Sequence, residues 1–171
     1  MAAEQIKLRT ATVTDVPTIR QLAHDTWWPT YGAYIDHGQI SLMLELIYSK
    51  NALRAQLAAG QCFALALRGD TAVGFVGFQP KAGHPKTMRI EKLYVGQSEQ
   101  GNGTGKLLIN HVAQVALATD CSHLELNVNR YNPARGFYER QGFVITDTVD
   151  TPYHGYVLND YIMQMELRAG R

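Results

Sequence analysis

Cysteine is nearly absent from this chain of 171 residues: Cys62 and Cys121 are the whole complement. Two thiols far apart, each in apolar surroundings, form neither a disulfide framework nor a metal-ligand pattern, and both read as buried free thiols. The six histidines include no His-x-x-x-His pair, so no metal site is expected. An excess of one charge is also lacking. Lys and Arg number 16 against 15 Asp and Glu, a net charge of +1. Nonspecific nucleic-acid binding needs a strongly basic surface, so no nucleic-acid partner is expected. No run approaches the ~20 apolar residues that cross a bilayer, and no membrane partner is expected. The start, Met1-Ala2-Ala3-Glu4-Gln5-Ile6-Lys7, has no apolar leader core. There is no internal repeat, low-complexity tract or linker. These absences predict a cytoplasmic protein with one domain over residues 1–171, whose 46% hydrophobic content suits a globular core.

What is present alternates between strand and helix patterns. Ile6 to Arg9 reads as a first strand, and Thr14-Asp15-Val16-Pro17 as a helix start followed by Ile19, Leu22, Ala23 and Thr26. Trp27 to Tyr34 is rich in aromatics and reads as irregular. Two short helices are predicted at Ile40–Tyr48 and Ala52–Leu57, then a hairpin of Gln61–Leu67 and Ala72–Phe78 across Gly69-Asp70. Met88–Val95 is a fourth strand. A helix to about Thr119, a strand around Leu126, a short helix at Ala134–Gln141 and strands at Phe143–Thr148 and Tyr156–Leu167 complete the order. The fold class is α/β, a mixed central sheet of about seven strands with helices on both faces.

Between the fourth strand and its following helix lies Gln100-Gly101-Asn102-Gly103-Thr104-Gly105-Lys106. Alternate glycines permit positive φ and a close approach of backbone to ligand. Amides at a helix N-terminus make a seat for phosphate. A Walker A loop is excluded, because Gly101 and Gly105 stand too close and Leu107 follows Lys106 where a hydroxyl belongs. The dinucleotide fingerprint fails too, for want of its third glycine. What remains is Gln-x-x-Gly-x-Gly after a strand. A second segment is Asn132-Pro133-Ala134-Arg135-Gly136-Phe137-Tyr138-Glu139-Arg140-Gln141-Gly142-Phe143, in which Asn132 and Pro133 suit a helix start and Gly142 a helix stop.

Together these segments resemble the GNAT superfamily of acetyl-CoA-dependent N-acetyltransferases: a pyrophosphate loop opening with Arg or Gln, then Asn-x-x-Ala…Phe-Tyr-Glu…Gly-Phe, here one residue tighter at Asn132-Pro133-Ala134. The family's order of elements covers Arg9 to Leu167. The resemblance implies the acyl-CoA N-acyltransferase fold, acetyl-CoA as cofactor and direct transfer to an amine in a ternary complex. It implies cofactor contacts from the loop residues Gln100 to Lys106, for Lys106 with an exposed surface lysine as the alternative. It implies backbone contacts to the pantetheine arm from Leu93, Tyr94 and Val95, with the Val95 amide facing the thioester oxygen. Asn127, Asn132 and Ala134 are further cofactor-binding candidates, Asn132 also being the helix cap. Tyr138 matches the tyrosine that donates a proton to the leaving thiolate. Glu91, on the strand before the loop, is the candidate base and an acceptor contact; a surface pairing or a water chain is the alternative.

Trp27, Trp28, Tyr31, Tyr34 and Tyr48 fall in the region that covers the acceptor site in this family. Trp28, Tyr31 and Tyr34 are taken as acceptor-binding, since rings beside carboxylates can hold a cationic amine; core packing accounts for at least half of the set. Trp28-Pro29-Thr30-Tyr31, Met43-Leu44 and the tail from Gly155 to Met163 resemble the bacterial branch that contains spermidine/spermine acetyltransferases, so the expected acceptor is a small-molecule amine, with polyamine as the finer reading. The resemblance also allows a homodimer through the C-terminal strands. Two other readings are a noncatalytic acyl-CoA-binding regulatory module and a protein or peptide N-acetyltransferase.

Overall fold

The computed structural model describes residues 4–168, so the first residues of the Met1-Ala2-Ala3 start lie outside the described residues. Seven strands are present: β1 (Ile6–Thr10), β2 (Cys62–Arg68), β3 (Thr71–Pro80), β4 (Thr87–Val95), β5 (His123–Asn129), β6 (Val144–Tyr153) and β7 (Tyr156–Glu166). Five α-helices accompany them: α1 (Val16–Tyr31), α2 (His37–Tyr48), α3 (Lys50–Ala58), α4 (Thr104–Ala118) and α5 (Ala134–Gln141). The strands form one mixed sheet of seven, as the sequence implies, and their order is β1-β2-β3-β4-β5-β7-β6. β4 and β5 are parallel, in the register Thr87↔His123, Met88↔Leu124, Arg89↔Glu125. That register ends at Arg89, whereas β4 runs on to Val95 and β5 to Asn129. Among the described residues, no helix is long and apolar enough to cross a membrane.

The chain clusters into two units. The first holds the described residues up to Gln79 together with Lys92–Asn110. Its β2–β3 hairpin turns at Gly69-Asp70, with Arg68 opposite Thr71. Helix α1 differs from the sequence reading: it continues through Trp28 and Pro29 to Tyr31 rather than becoming irregular. Pro29, in the last turn, has no N–H to give the Asp25 carbonyl, so the helix runs on past it with one bond fewer. The Gly32 amide then closes the end on the Trp28 carbonyl at 2.9 Å. Ser49 is extended and separates α2 from α3, its hydroxyl capping α3 by accepting from the Ala52 amide. Ile19, Ala23, Ile40, Leu44, Leu53, Phe63, Leu65 and Phe75 form the core of this unit. Cys62 corrects the sequence reading: at the first position of β2, before the buried run begins, it is exposed.

The second unit holds Pro80–Glu91 and the described residues from His111 onward. Strand β7 lies between β5 and β6 and pairs antiparallel with both. Leu124, Leu126, Val128, Phe143 and Met163 are buried there, with Cys121 buried as expected. Helix α5 spans the residues expected of it and stops on Gly142 in the left-handed conformation, φ 111°. Strand β4 and helix α4 each contribute residues to both units.

Candidate functional site

In the first unit, β4 leads through Gly96 and a 3-10 turn (Gln97–Glu99) into the glycine loop and α4. Gly101 and Gly103 hold φ of 86° and 83°, a region that side chains disfavour. A Cβ built at either would meet nothing within 4 Å, so the glycines answer a backbone need and leave the loop surface open. Gln100 is exposed and its Nε2 donates to the Val95 carbonyl at 3.2 Å, which ties the loop back to the end of β4. Lys106 is exposed and Gly105 half-buried in the first turn of α4. Open backbone at the positive end of a helix can seat an anion.

The loop is anchored by a residue that the sequence did not mark. Glu99 is only 4% exposed, and its carboxylate is met side-on by the Arg68 guanidinium: Nε donates to Oε2 at 3.0 Å and Nη2 to Oε1. The same Oε1 accepts the Thr104 hydroxyl at 3.0 Å and a long contact from Asn102 Nδ2 at 3.5 Å. The Asn102 amide donates to the Glu99 carbonyl at 3.2 Å. Hydrogen bonds from Arg68, opposed by burial and helped by Thr104, pull the Glu99 carboxyl down to about 2. Thr104 is 1% exposed, so its hydroxyl belongs to this anchor and only its backbone can face a ligand.

Leu93, Tyr94 and Val95 are half-buried at the end of β4. Gly74 on β3 brings the strands together there: a Cβ would stand 2.9 Å from the Tyr94 carbonyl oxygen. The Tyr94 ring joins a cluster with Trp27 (centroids 5.9 Å apart), Phe75 (5.8 Å) and Tyr48 (6.3 Å). Its hydroxyl lies 3.1 Å from that of Tyr31, which packs on Trp27 at 4.7 Å and on Tyr34 at 6.0 Å. Burial pushes the Tyr34 phenol up to about 12. Tyr31 and Tyr34 thus gather with Tyr94, whereas Trp28 does not: it is 37% exposed and meets His37 edge-on at 5.3 Å.

In the second unit, Arg89 organises one face of β4 and β5. Its Nη1 meets Glu125 Oε2 at 2.8 Å, its Nη2 donates to Asn127 Oδ1 at 2.9 Å, and its Nε stands 3.2 Å from Glu91 Oε1. Glu125 is 1% exposed, yet its Oε1 also takes Lys81 Nζ and Gln164 Nε2, each at 2.9 Å. Burial alone would raise the Glu125 carboxyl; the hydrogen bonds from Lys81, Gln164 and Arg89 outweigh it and hold the group below its ordinary value. Asn127 passes the network on, Nδ2 donating to Asp160 Oδ2 at 3.3 Å. The Asp160 carboxyl is shifted upward by burial. Two candidates from the sequence, Glu91 and Asn127, are therefore held by one guanidinium.

Tyr138 lies on α5 beside Phe143, ring centroids 5.9 Å apart. The residue is half-buried, and protein packed around its phenol pushes it up to about 12. Asn132 is expected to cap α5, but Pro133 holds the N-cap position; Asn132, one residue earlier, turns the chain into the helix, its Oδ1 accepting the Ala134 amide at 2.9 Å. Ala134 is half-buried in the first turn. Among the described residues, no three of His, Cys, Asp and Glu are grouped to hold a metal ion.

Comparison with known proteins agrees in one direction. The sequence model described as acetyltransferase (GNAT) family matches residues 20–143. A "Probable N-acetyltransferase" of Mycobacterium tuberculosis is 25% identical over 173 residues, covering 92% of this chain and 96% of the relative. A spermidine N(1)-acetyltransferase of Thermoplasma acidophilum is 24% identical over 149 residues, covering 84% and 91%. In fold, the chain is similar to the crystal structure of the PaiA N-acetyltransferase from Thermoplasma acidophilum in complex with coenzyme A. That match has a TM-score of 0.79 at 23% identity and covers 95% of this chain and 99% of that one. A GCN5-related N-acetyltransferase structure from Rhodopseudomonas palustris gives a TM-score of 0.81 at 19% identity, covering 98% and 99%.

Proposed function

Because this chain belongs to the acetyltransferase (GNAT) family, we propose that it moves an acetyl group from acetyl-CoA to the primary amine of a small molecule. The observation that carries this reading is the glycine loop: Gly101 and Gly103, left-handed and open, stand over a buried anchor at the start of α4. That cradle fits a diphosphate, because no side chain fills it and the amides of a helix start lie beside it. Gln100 to Lys106 would hold the diphosphate, and the backbone of Leu93 to Val95 the pantetheine arm. Asn127, Asn132 and Ala134 would supply further cofactor contacts.

Acetyl-CoA, when bound, supplies a thioester carbon open to attack by an amine and a thiol that leaves. The chain's own residues then have two proton tasks. Glu91 accepts the proton that the amine nitrogen gives up as its bond to carbon forms. Tyr138, neutral across the physiological range with its phenol near 12, donates a hydrogen bond to the sulfur as the carbon–sulfur bond breaks. A free thiol titrates near ~8.5, so the phenol stabilises a solvated thiolate without ionising; full proton transfer needs the sulfur to be buried as well. Positioning supplies most of the remaining acceleration.

A polyamine is the acceptor we favour. The likeness to a spermidine N(1)-acetyltransferase supports it, as does the ring set of Tyr31 and Tyr34 with the exposed Trp28, which suits a cationic chain. Competition between spermidine and short peptides for a limiting amount of the protein tests this choice. Inhibition of peptide acetylation by spermidine at micromolar concentration supports the polyamine; peptides acetylated in preference to spermidine would move the assignment to protein N-termini or lysines.

A further inference from the structure

A buried carboxylate beneath a loop that seats phosphates is at first sight misplaced, because it repels the ligand the loop would hold. Glu99 occupies that position, yet it sits between the loop's two ends: its own residue precedes Gln100, and Thr104, its hydroxyl partner, follows Gly103. Its charge is matched by Arg68, which reaches it side-on from β2 with two donors. Gly101 and Gly103 can adopt many conformations when unrestrained, so an open glycine loop binds well only if something else orders it beforehand. We propose that Glu99 and Arg68 are positioning residues for acetyl-CoA: a charge-neutral latch that fixes the diphosphate loop without touching the ligand.

The inference rests on the reading that this loop seats the diphosphate, and it makes two demands that oppose simple electrostatics. Removing the negative charge with Glu99→Gln should weaken coenzyme A binding rather than strengthen it, because the latch loses a charge-assisted pair. Removing the positive charge alone with Arg68→Gln should weaken it more, because it leaves a buried carboxylate unneutralised under the diphosphate. The double variant should then bind coenzyme A better than Arg68→Gln by itself. No gain from a stabilised fold alone produces that order of affinities together with the substrate dependence that follows.

The test compares acetyl-CoA with acetyl-pantetheine, which carries the same thioester and no diphosphate, alongside calorimetry of coenzyme A. In Glu99→Gln, KM for acetyl-CoA should rise about tenfold, the loss of one charge-assisted hydrogen bond. The value of kcat should hold, and kcat/KM for acetyl-pantetheine should stay as in the unaltered protein. Arg68→Lys, which keeps the positive charge and loses the side-on pair of donors, should show the same pattern more weakly and serves if Glu99→Gln does not fold. Unchanged or tighter coenzyme A binding in these variants would overturn the latch. So would equal losses with both thioesters, since a general structural defect does not distinguish them. Failure of the unaltered protein to bind coenzyme A at all would instead strike the proposed function.

Discussion

Arg89 Nε stands 3.2 Å from Glu91 Oε1, two residues apart on one side of β4, and its other nitrogens meet Glu125 and Asn127. A planar guanidinium with three partners fixes each of them, which a lysine at the same position cannot do. The candidate base is thus held by a residue anchored in turn to a buried carboxylate.

Glu91→Gln keeps this geometry and removes the proton acceptor. If Glu91 is the base, kcat falls by about 10²-fold or more while coenzyme A affinity is unchanged. Arg89→Lys should give an intermediate loss, since Glu91 remains but its orientation is looser. Steady-state kinetics with calorimetry of both variants check this; a Glu91→Gln protein with full kcat would transfer the proton to water instead.

Tyr138→Phe deletes one hydroxyl from a half-buried ring that packs on Phe143. The expected result is a fall in kcat of about 10²-fold, within the range for a lost transition-state donor, with coenzyme A affinity retained. A fall in affinity with kcat preserved would reassign Tyr138 to binding.

Neighbouring tryptophans should separate packing from surface. Trp27 is 4% exposed and meets Tyr31, Tyr48 and Tyr94, so Trp27→Ala should cost about 3–5 kcal/mol of stability. Trp28 meets His37 at the surface, and Trp28→Ala should cost about 1 kcal/mol or less. Denaturant midpoints measure both. A raised KM for the amine in Trp28→Ala, with stability intact, would support its place in acceptor binding.

Acid should loosen the loop anchor. The Glu99 carboxyl lies at about 2 in the folded chain, through its pairing with Arg68, against ~4.3 for a free glutamate. Its contribution to stability is complete above about pH 4.3 and is lost as pH falls toward about 2. Glu99→Gln should flatten this part of the stability profile, read from urea midpoints at a series of pH values. Parallel profiles for the two proteins would contradict the pairing.

How far the sequence could reach follows from the range of each interaction. The glycine loop, the Gly142 stop and the Gly69-Asp70 hairpin depend on neighbours, and all are visible in the residues themselves. The Arg68–Glu99 and Arg89–Glu125 pairs join strands or loops over thirty residues apart and exist because of sheet register, which no local pattern shows. The aromatic run from Trp27 misled in the other direction. Read as irregular, its first residues complete the last turns of α1, where Trp27 and Tyr31 pack together. Cys62 likewise sits in an apolar run but at the strand's exposed first position.

Acetyl transfer to a small amine is decided by the release of free thiol from acetyl-CoA, measured with spermidine, spermine, aminoglycosides, amino acids and short peptides. Release should depend on a small primary amine and be matched mole for mole by the acetylated amine. Acetyl-CoA that neither binds in calorimetry nor gives up its acetyl group to any of these amines would contradict it.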